Sequence, residues 1–395
     1  MTVTGGVAGA AIDKHGNPQA KNMRLVGHCP MEGRGDGMHI NLKDGYAFFG
    51  HMGDNGIGTS ILDVRDPSAP RVVNQLMVPN GIHSHKVQIV GDILLVNYEQ
   101  YRSTSSQGGL KVFDVSKTTE PREIAFLPMS GKGIHRMTWF EGPYVYVTGS
   151  EEGWSDQFLI VVDISDPSNP REVGRFWMPG MHVAGGEVST LPPGRSSKLH
   201  HALTRGDRAY CGWWDEGLVI LDIADKSSPK LVSHLDFGAD VSGASHSALP
   251  LPGRDLLVVT DECVHNDCEG IPKQVRVVDI SDERNPKVVS LFPVPAEADF
   301  CARGGRFGPH NVHEMRPGTF SDPNIVHLTY FNGGIRVLDV SDATTPREIA
   351  YFVPEAPPGK RSIQLNDLIV DRDGLIYVSD RFGGGLYIFE LTGRG

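Results

Sequence analysis

The sequence predicts an all-β chain folded as a seven-bladed β-propeller, and three observations predict it. First, one phrase is written six times: Asp63-Val-Arg-Asp-Pro-Ser-Ala-Pro70, Asp114-Val-Ser-Lys-Thr-Thr-Glu-Pro121, Asp163-Ile-Ser-Asp-Pro-Ser-Asn-Pro170, Asp222-Ile-Ala-Asp-Lys-Ser-Ser-Pro229, Asp279-Ile-Ser-Asp-Glu-Arg-Asn-Pro286 and Asp339-Val-Ser-Asp-Ala-Thr-Thr-Pro346. A degenerate seventh copy, Phe389-Glu-Leu-Thr392, closes the chain. A period of roughly 50–60 residues belongs to solenoids, propellers and arrays. Second, each period reads as four short strands with almost no helical periodicity, which is one propeller blade. Third, the ends are complementary: an orphan outer strand at the start and three strands of an unfinished blade at the end.

The elements follow in order. Before each phrase lies a short apolar, β-branched run such as Leu159-Ile-Val-Val162 or Val275-Arg-Val-Val278, which reads as a buried strand. The Asp-Pro-Ser-Asn-Pro segment is a turn, because Asp and Ser bond their own backbone and Pro presets φ. A further strand follows, as in Arg171-Glu-Val-Gly-Arg-Phe176. Upstream lies another pair, for example Met137 to Phe140 and Tyr144 to Thr148. Met23-Arg-Leu-Val-Gly-His28 resembles the outer strand Glu172 to Phe176, so it is expected to complete the blade ending in Leu386-Tyr-Ile-Phe-Glu-Leu391. Such closure removes two open sheet edges. The expected organisation is an N-terminal extension over 1–22 and a single propeller over 23–395.

The chain of 395 residues carries 37 basic and 48 acidic side chains, a net charge of −11. Without a Lys/Arg-rich block, neither nucleic acid nor an anionic membrane is an expected partner. No apolar run reaches the about 18 residues of a membrane span. The small, uncharged stretch Met1 to Ala11 lacks the features of a signal peptide, and the cytoplasm is the expected compartment. Five cysteines at irregular spacing argue against a disulfide framework. Cys263 and Cys268 flank His265 and Asp267, but without a second Cys/His pair they read as loop cysteines and not as a metal knuckle.

Chemistry is sought in what departs from the repeat. Just before the first strand of successive blades stand His39, His83 and His85, His135, His200 and His201, His246, His310 and His313, and finally Asp367. First strands line the central channel, so these side chains converge on the axis. Neutral imidazoles with a carboxylate form a transition-metal set, with Fe, Cu, Mn or Zn as candidates. The expected ligands are His85, His135, His201, His246, His310 and Asp367, with His39, His83, His200 and His313 as additional candidates. Four to six ligands are the usual limit, so some must play other parts. A second series on the same face comprises His51, Glu99, Glu151, Asp215 and Glu216, Asp261 and Glu262, Asn332, and Asp380 with Arg381. Glu262 and Glu314 are candidate proton acceptors. Arg303 and Arg306 are candidate anchors for a carboxylate or phenolate, and Trp213-Trp214 a candidate pocket wall. A lone buried His is more often a hydrogen-bonded core residue; six in one narrow slot weigh against that.

The blade phrase resembles the LVIVD-repeat family of propellers, a likeness carried by Leu159-Ile-Val-Val-Asp163 and Leu218-Val-Ile-Leu-Asp222 with the Ser-Asp turns after them. It covers residues from about 23 to the end and implies fold more than function. The layout of the histidines resembles that of the selenium-binding and methanethiol oxidase propellers, and more distantly the four-histidine iron propellers that cleave carotenoids. The expected function is therefore a metal-dependent oxidoreductase acting on a small carboxylate-bearing or phenolic molecule. A metal-dependent hydrolase or lyase on the same site, and a non-catalytic protein-interaction propeller, are the alternatives. An oligomer is compatible with the sequence.

Overall fold

The computed structural model describes residues 19–102, 104–238 and 243–393. Antiparallel four-stranded sheets follow one another around an axis. Blade 1 runs Gly37–Lys43, Tyr46–His51, Ile57–Asp63 and Arg71–Met77 from the axis outward. Blades 3, 4 and 5 repeat this order, beginning with Gly133–Thr138, His201–Arg205 and Ser245–Pro250. Blade 2 begins at Val87–Val90 and is tied to blade 3 through Gly133 and Glu99. In blade 6 the innermost segment is short: His310 N donates to Thr329 O (3.0 Å) and His313 N to His327 O (2.9 Å), around one bridge between Val312 and Leu328. The seventh blade is closed as the sequence predicts. Met23–Cys29 pairs with Gly385–Leu391, in a register running from Met23 opposite Leu391 to Cys29 opposite Leu386. Residues before 23 also contribute, since Ala20–Lys21 adds an edge strand to blade 6. Residues 1–18 lie outside the described part of the chain.

The repeated phrase has a physical cause. Its first Asp accepts the N–H two residues on and, in the copies at Asp63, Asp114, Asp163 and Asp339, pairs with an Arg eight residues on. Asp163 takes Ser165 N (2.8 Å) and Arg171 (2.6 Å), and Asp339 takes Ser341 N (2.8 Å) and Arg347 (2.7 Å). Its second Asp caps the following turn, as Asp166 does for Ser168 N (3.0 Å) and Asp342 for Thr344 N (2.9 Å). These are local side-chain-to-backbone turns. They hold the third and outer strands together at the face away from the site.

Each outer strand carries a bulge against the third strand, and the residue after it is small in every blade: Asn74, Ala125, Gly174, Ser233, Ser290, Ala350 and Gly27. Where its contact is seen, this position meets the turn of the next blade. Asn74 Nδ2 donates to Thr119 O (2.8 Å) and Ser290 Oγ to Ala343 O (2.6 Å). Gly174 and Gly27 lie so close that an added Cβ would run into Lys226 O and Pro67 O. The same notch thus joins blade 3 to blade 4 and, across the chain ends, blade 7 to blade 1.

One expectation is corrected. Cys268 and Cys301 form a disulfide, with Cα atoms 5.4 Å apart, while Cys29, Cys211 and Cys263 are free and buried. The odd cysteine count concealed a single bridge, because its partners come from two loops that only the ring brings together. The compartment argument drawn from the cysteines loses its support, since such bridges persist mainly in oxidising surroundings. Among the described residues, no helix is long and apolar enough to cross a membrane.

Two outcomes test this architecture. Gly27→Val and Gly174→Val should each cost about 1–3 kcal/mol, the usual price of overfilling a packed contact, as read by urea unfolding; unchanged midpoints would refute the latch. Replacing Cys268 and Cys301 by Ser should lower Tm by about 2–5 °C, from the loop-closure entropy of a bridge spanning 33 residues.

Candidate metal centre

The inner strands bulge where they enter the sheet. In blade 1, Gly37 faces His51 and His39 faces Gly50, so Met38 is extra; His135, His246 and Asn366 are the extra residues in blades 3, 5 and 7. A bulge re-aims a side chain, and here two consecutive residues serve the channel instead of one. The result is two tiers. The upper tier is Met38, His85, His135, His200, His246, His310 and Asn366. The lower tier is His39, Lys86, Arg136, His201, Ser247, Asn311 and Asp367.

The upper tier surrounds a cavity of about 120 Å³ lined by Met38, Met52, His83, His85, Lys86, His135, His200, His246, Glu262, Arg306, His310 and Arg381. Six imidazoles form an arc around it. Ring centroids are 5.4 Å apart for His83–His85, 4.9 Å for His85–His135, 4.9 Å for His135–His200, 4.0 Å for His200–His246 and 4.5 Å for His246–His310. Trp214 stacks on His200 at 5.6 Å.

Burial pushes His85, His200, His246 and His310 well below the ordinary histidine range, assisted by the neighbouring His135 for His85 and His200, by His200 for His246, and by Lys86 for His310. They are neutral near pH 7, the protonation state that binds metals. Two of the Nδ1 atoms are engaged from behind: His310 Nδ1 lies 2.7 Å from Asn366 O and His246 Nδ1 2.7 Å from Ser247 Oγ, whereas His200 Nδ1 has no partner among the described residues. Among the described residues, the buried Nε2 atoms of His83, His85 and His246 have no hydrogen-bond partner. An orphaned buried acceptor is costly, and a metal ion beside His83 and His85, or one beside His246, would satisfy it. Two groups bring their ligand atoms within 4.8 Å of one another: His83, His85 and Glu99, and His200, His246 and Glu262. Glu99 also holds His135 Nδ1 at 2.8 Å. Burial opposes ionisation of Glu99, but His135, His83 and His85 outweigh it and keep the carboxyl well below its usual range. The residues present therefore fit a transition-metal ion.

The structure divides the candidates drawn from the sequence. His83, His85, His135, His200, His246, His310, Glu262 and Arg306 share the cavity. His39, His201, Asp367 and Glu314 lie beneath it in a charged network. Glu314 is 3.1 Å from Arg136, 3.4 Å from His201 and 3.8 Å from His39, and Asp367 is 3.3 Å from Lys86. His201 instead faces Ser247 and Thr138 (3.0 and 3.1 Å). His313 lies outside both tiers, 2.8 Å from Phe320 O. Arg303 ends a short helix with its guanidinium over Phe300 (4.9 Å), outside the cavity lining. Trp213 is fully buried and donates to Ser197 Oγ, and of the two tryptophans it is Trp214 that reaches the arc, by stacking on His200. Met38 and Met52 were not foreseen. Met38 is found by shifting the alignment one residue before His39, the displacement that the bulge introduces.

A larger cavity of about 360 Å³ opens on the opposite face between Phe140, Tyr144, Arg205 and Met315. No histidine lines it, and it touches the charged network at Glu314.

LVIVD repeats match residues 34–78, 133–177 and 204–236. No curated protein matches the sequence. Solved structures that superpose are β-propellers. They include a periplasmic gluconolactonase from Pseudomonas aeruginosa (11% identity, TM-score 0.58, covering 86% of this chain and 93% of that one). A hypothetical selenium-binding protein from Sulfolobus tokodaii gives 14%, 0.56, 95% and 92%. A streptogramin B lyase gives 12%, 0.56, 93% and 97%. At such identities the likeness establishes the fold alone.

The buried imidazoles set a pH dependence. A base whose folded pKa lies below its unfolded value of 6.5 binds protons more readily once unfolded. Its stabilising effect is complete above about pH 6.5 and is lost as pH falls. Each such His contributes up to about 1.4 kcal/mol per pH unit. Chelator-treated protein should lose urea stability steeply from pH 6.5 to 5.5, and less in the His246→Gln variant.

Proposed function

We propose that this propeller is a metal-dependent oxidoreductase acting on a small molecule held above the imidazole arc. The observation that carries the reading is the arc of imidazoles from five consecutive blades around one cavity, of which His85, His200, His246 and His310 are buried and neutral, with the Nε2 atoms of His83, His85 and His246 unpartnered among the described residues. His83 and His85 with Glu99, or His200 and His246 with Glu262 and the adjacent His310, are the residues that would hold the ion. When bound, a redox-active ion in such an imidazole-rich set would offer open positions for O2 and substrate. The chain supplies the rest. Glu99 orients His135, as an outer carboxylate commonly does for an imidazole near a metal. Glu262, 2.8 Å from Arg306 and 3.6 Å from His310 Nε2, is placed to take a proton from a substrate in the cavity. Trp214 stacks beside His200 and screens it from water. The cavity volume favours a compact substrate.

A hydrolase or lyase is the second reading, and Glu262 is the observation behind it: a carboxylate beside a metal also serves as the base for an attacking water. Elemental analysis of untagged protein purified without chelators should give a stoichiometric transition metal, with His246→Ala losing it. Absence of metal, together with no uptake on addition, would leave the interaction scaffold as the reading. Turnover that stops without O2 supports oxidation; turnover undiminished under anaerobic conditions moves the assignment to hydrolysis or lysis.

A further inference from the structure

The cavity carries more positive than negative charge. Of its lining residues, Lys86, Arg306 and Arg381 are cationic and Glu262 is anionic, while burial keeps His85, His200, His246 and His310 neutral. Lys86 is neutralised from below by Asp367 at 3.3 Å, and Arg306 by Glu262 at 2.8 Å. The guanidinium of Arg381 has neither a hydrogen bond nor an ion pair among the described residues; it lies 5.9 Å from the Phe331 ring and 6.0 Å from the Phe382 ring. Its neighbour Asp380 is spent on backbone amides, those of Gln364 (2.7 Å), Phe382 (3.0 Å) and Gly384 (2.7 Å).

The two arginines are held as a pair. Buried Gln364 accepts Arg381 N at its main-chain oxygen (3.1 Å) and Arg306 N at Oε1 (3.0 Å). Both guanidinium groups approach the same ring: Arg306 is 5.4 Å from Phe331, against which His310 stacks at 4.6 Å. A partly buried cation without a counter-ion is unfavourable, and a divalent metal would add to the excess. A guanidinium fork fits the two coplanar oxygens of a carboxylate.

We propose that Arg381, paired with Arg306 on the Phe331 ring, binds the carboxylate of a small substrate and holds it beside the imidazole arc. The place of this clamp in turnover rests on the metal-enzyme reading above; the binding itself requires no metal. The test is calorimetric titration of chelator-treated full-length protein with acetate and with its neutral counterpart, acetamide, following Trp214 fluorescence in parallel. Acetate should bind at least tenfold more tightly than acetamide. Arg381→Gln should weaken acetate at least tenfold, Arg381→Lys should restore part of it, and Arg303→Gln, outside the cavity, should change nothing. Arg381→Gln should also retain or raise Tm, since it removes an unpaired cation, which separates lost binding from lost folding. Equal binding of acetate and acetamide, or an Arg381→Gln variant that binds acetate like the parent, would overturn the clamp. Because metal is absent from this titration, acetate binding with no metal in the purified protein would sink the enzyme reading and leave the clamp standing, and the converse holds.

Discussion

Everything on the axis depends on a pairing between the two ends of the chain. Seven inner strands face one another only if the ring closes, and it closes through Met23–Cys29 lying against Gly385–Leu391. That pairing also carries Gly27 to the turn of blade 1 at Pro67, the contact that Gly174 makes with Lys226 inside the ring. The seam therefore uses the same notch as an ordinary blade junction. A rigid ring is what allows imidazoles separated by more than two hundred residues, His85 and His310, to share one small cavity.

The parts of this structure legible in the sequence are those in which a local cause repeats. The Asp that accepts a backbone amide two residues on recurs in six blades, so the phrase and its period announced the propeller. The closing strand was legible because Met23 to His28 resembles an outer strand and nothing near it supplies the rest of a blade. The site was legible to the level of a slot. Its division into two tiers was hidden, because the residue that slips out of register at Met38, His135, His246 and Asn366 leaves no compositional mark. One residue of displacement turns His200 toward the cavity and His201 toward Ser247. Arg381 stood in the rim series, yet its want of a partner is a property of three dimensions: Asp380 beside it is occupied by amides from its own loop.

The two tiers divide the electrostatic work. Below, the charges are matched: Arg136 meets Glu314 and Asn311, and Lys86 meets Asp367. Farther down, Arg316 is held by Asn41, Gln88 and Trp139 O. Buried ions are tolerated when paired and hydrogen-bonded, and these fill the channel with polar groups that satisfy one another. Above, burial acts on groups that can shed their charge, and His85, His200, His246 and His310 do so. A partly unsatisfied imidazole arc thus stands on a floor whose ions are paired.

That asymmetry is the reason for placing the proposed chemistry in the smaller cavity. The larger opening, on the opposite face, borders Glu314, but that carboxylate is already engaged by Arg136 and His201, and no imidazole reaches the opening. On the site face the rim is built from the segments that vary most between blades. Two of them, the loop after Glu262 and the stretch leading to Arg306, are tied by Cys268–Cys301 and by mutual bonds between Asp267 and Gly305. The bridge thus braces the base candidate and one arm of the anion clamp in the same place. A loop free to move would let Arg306 swing to solvent, where a guanidinium is better hydrated, and would leave Glu262 without its partner. Fixing the rim covalently keeps both charges over the imidazole arc, and it does so at the one side of the ring where the inner segment, His310 to His313, is too short to brace the rim by strand pairing alone.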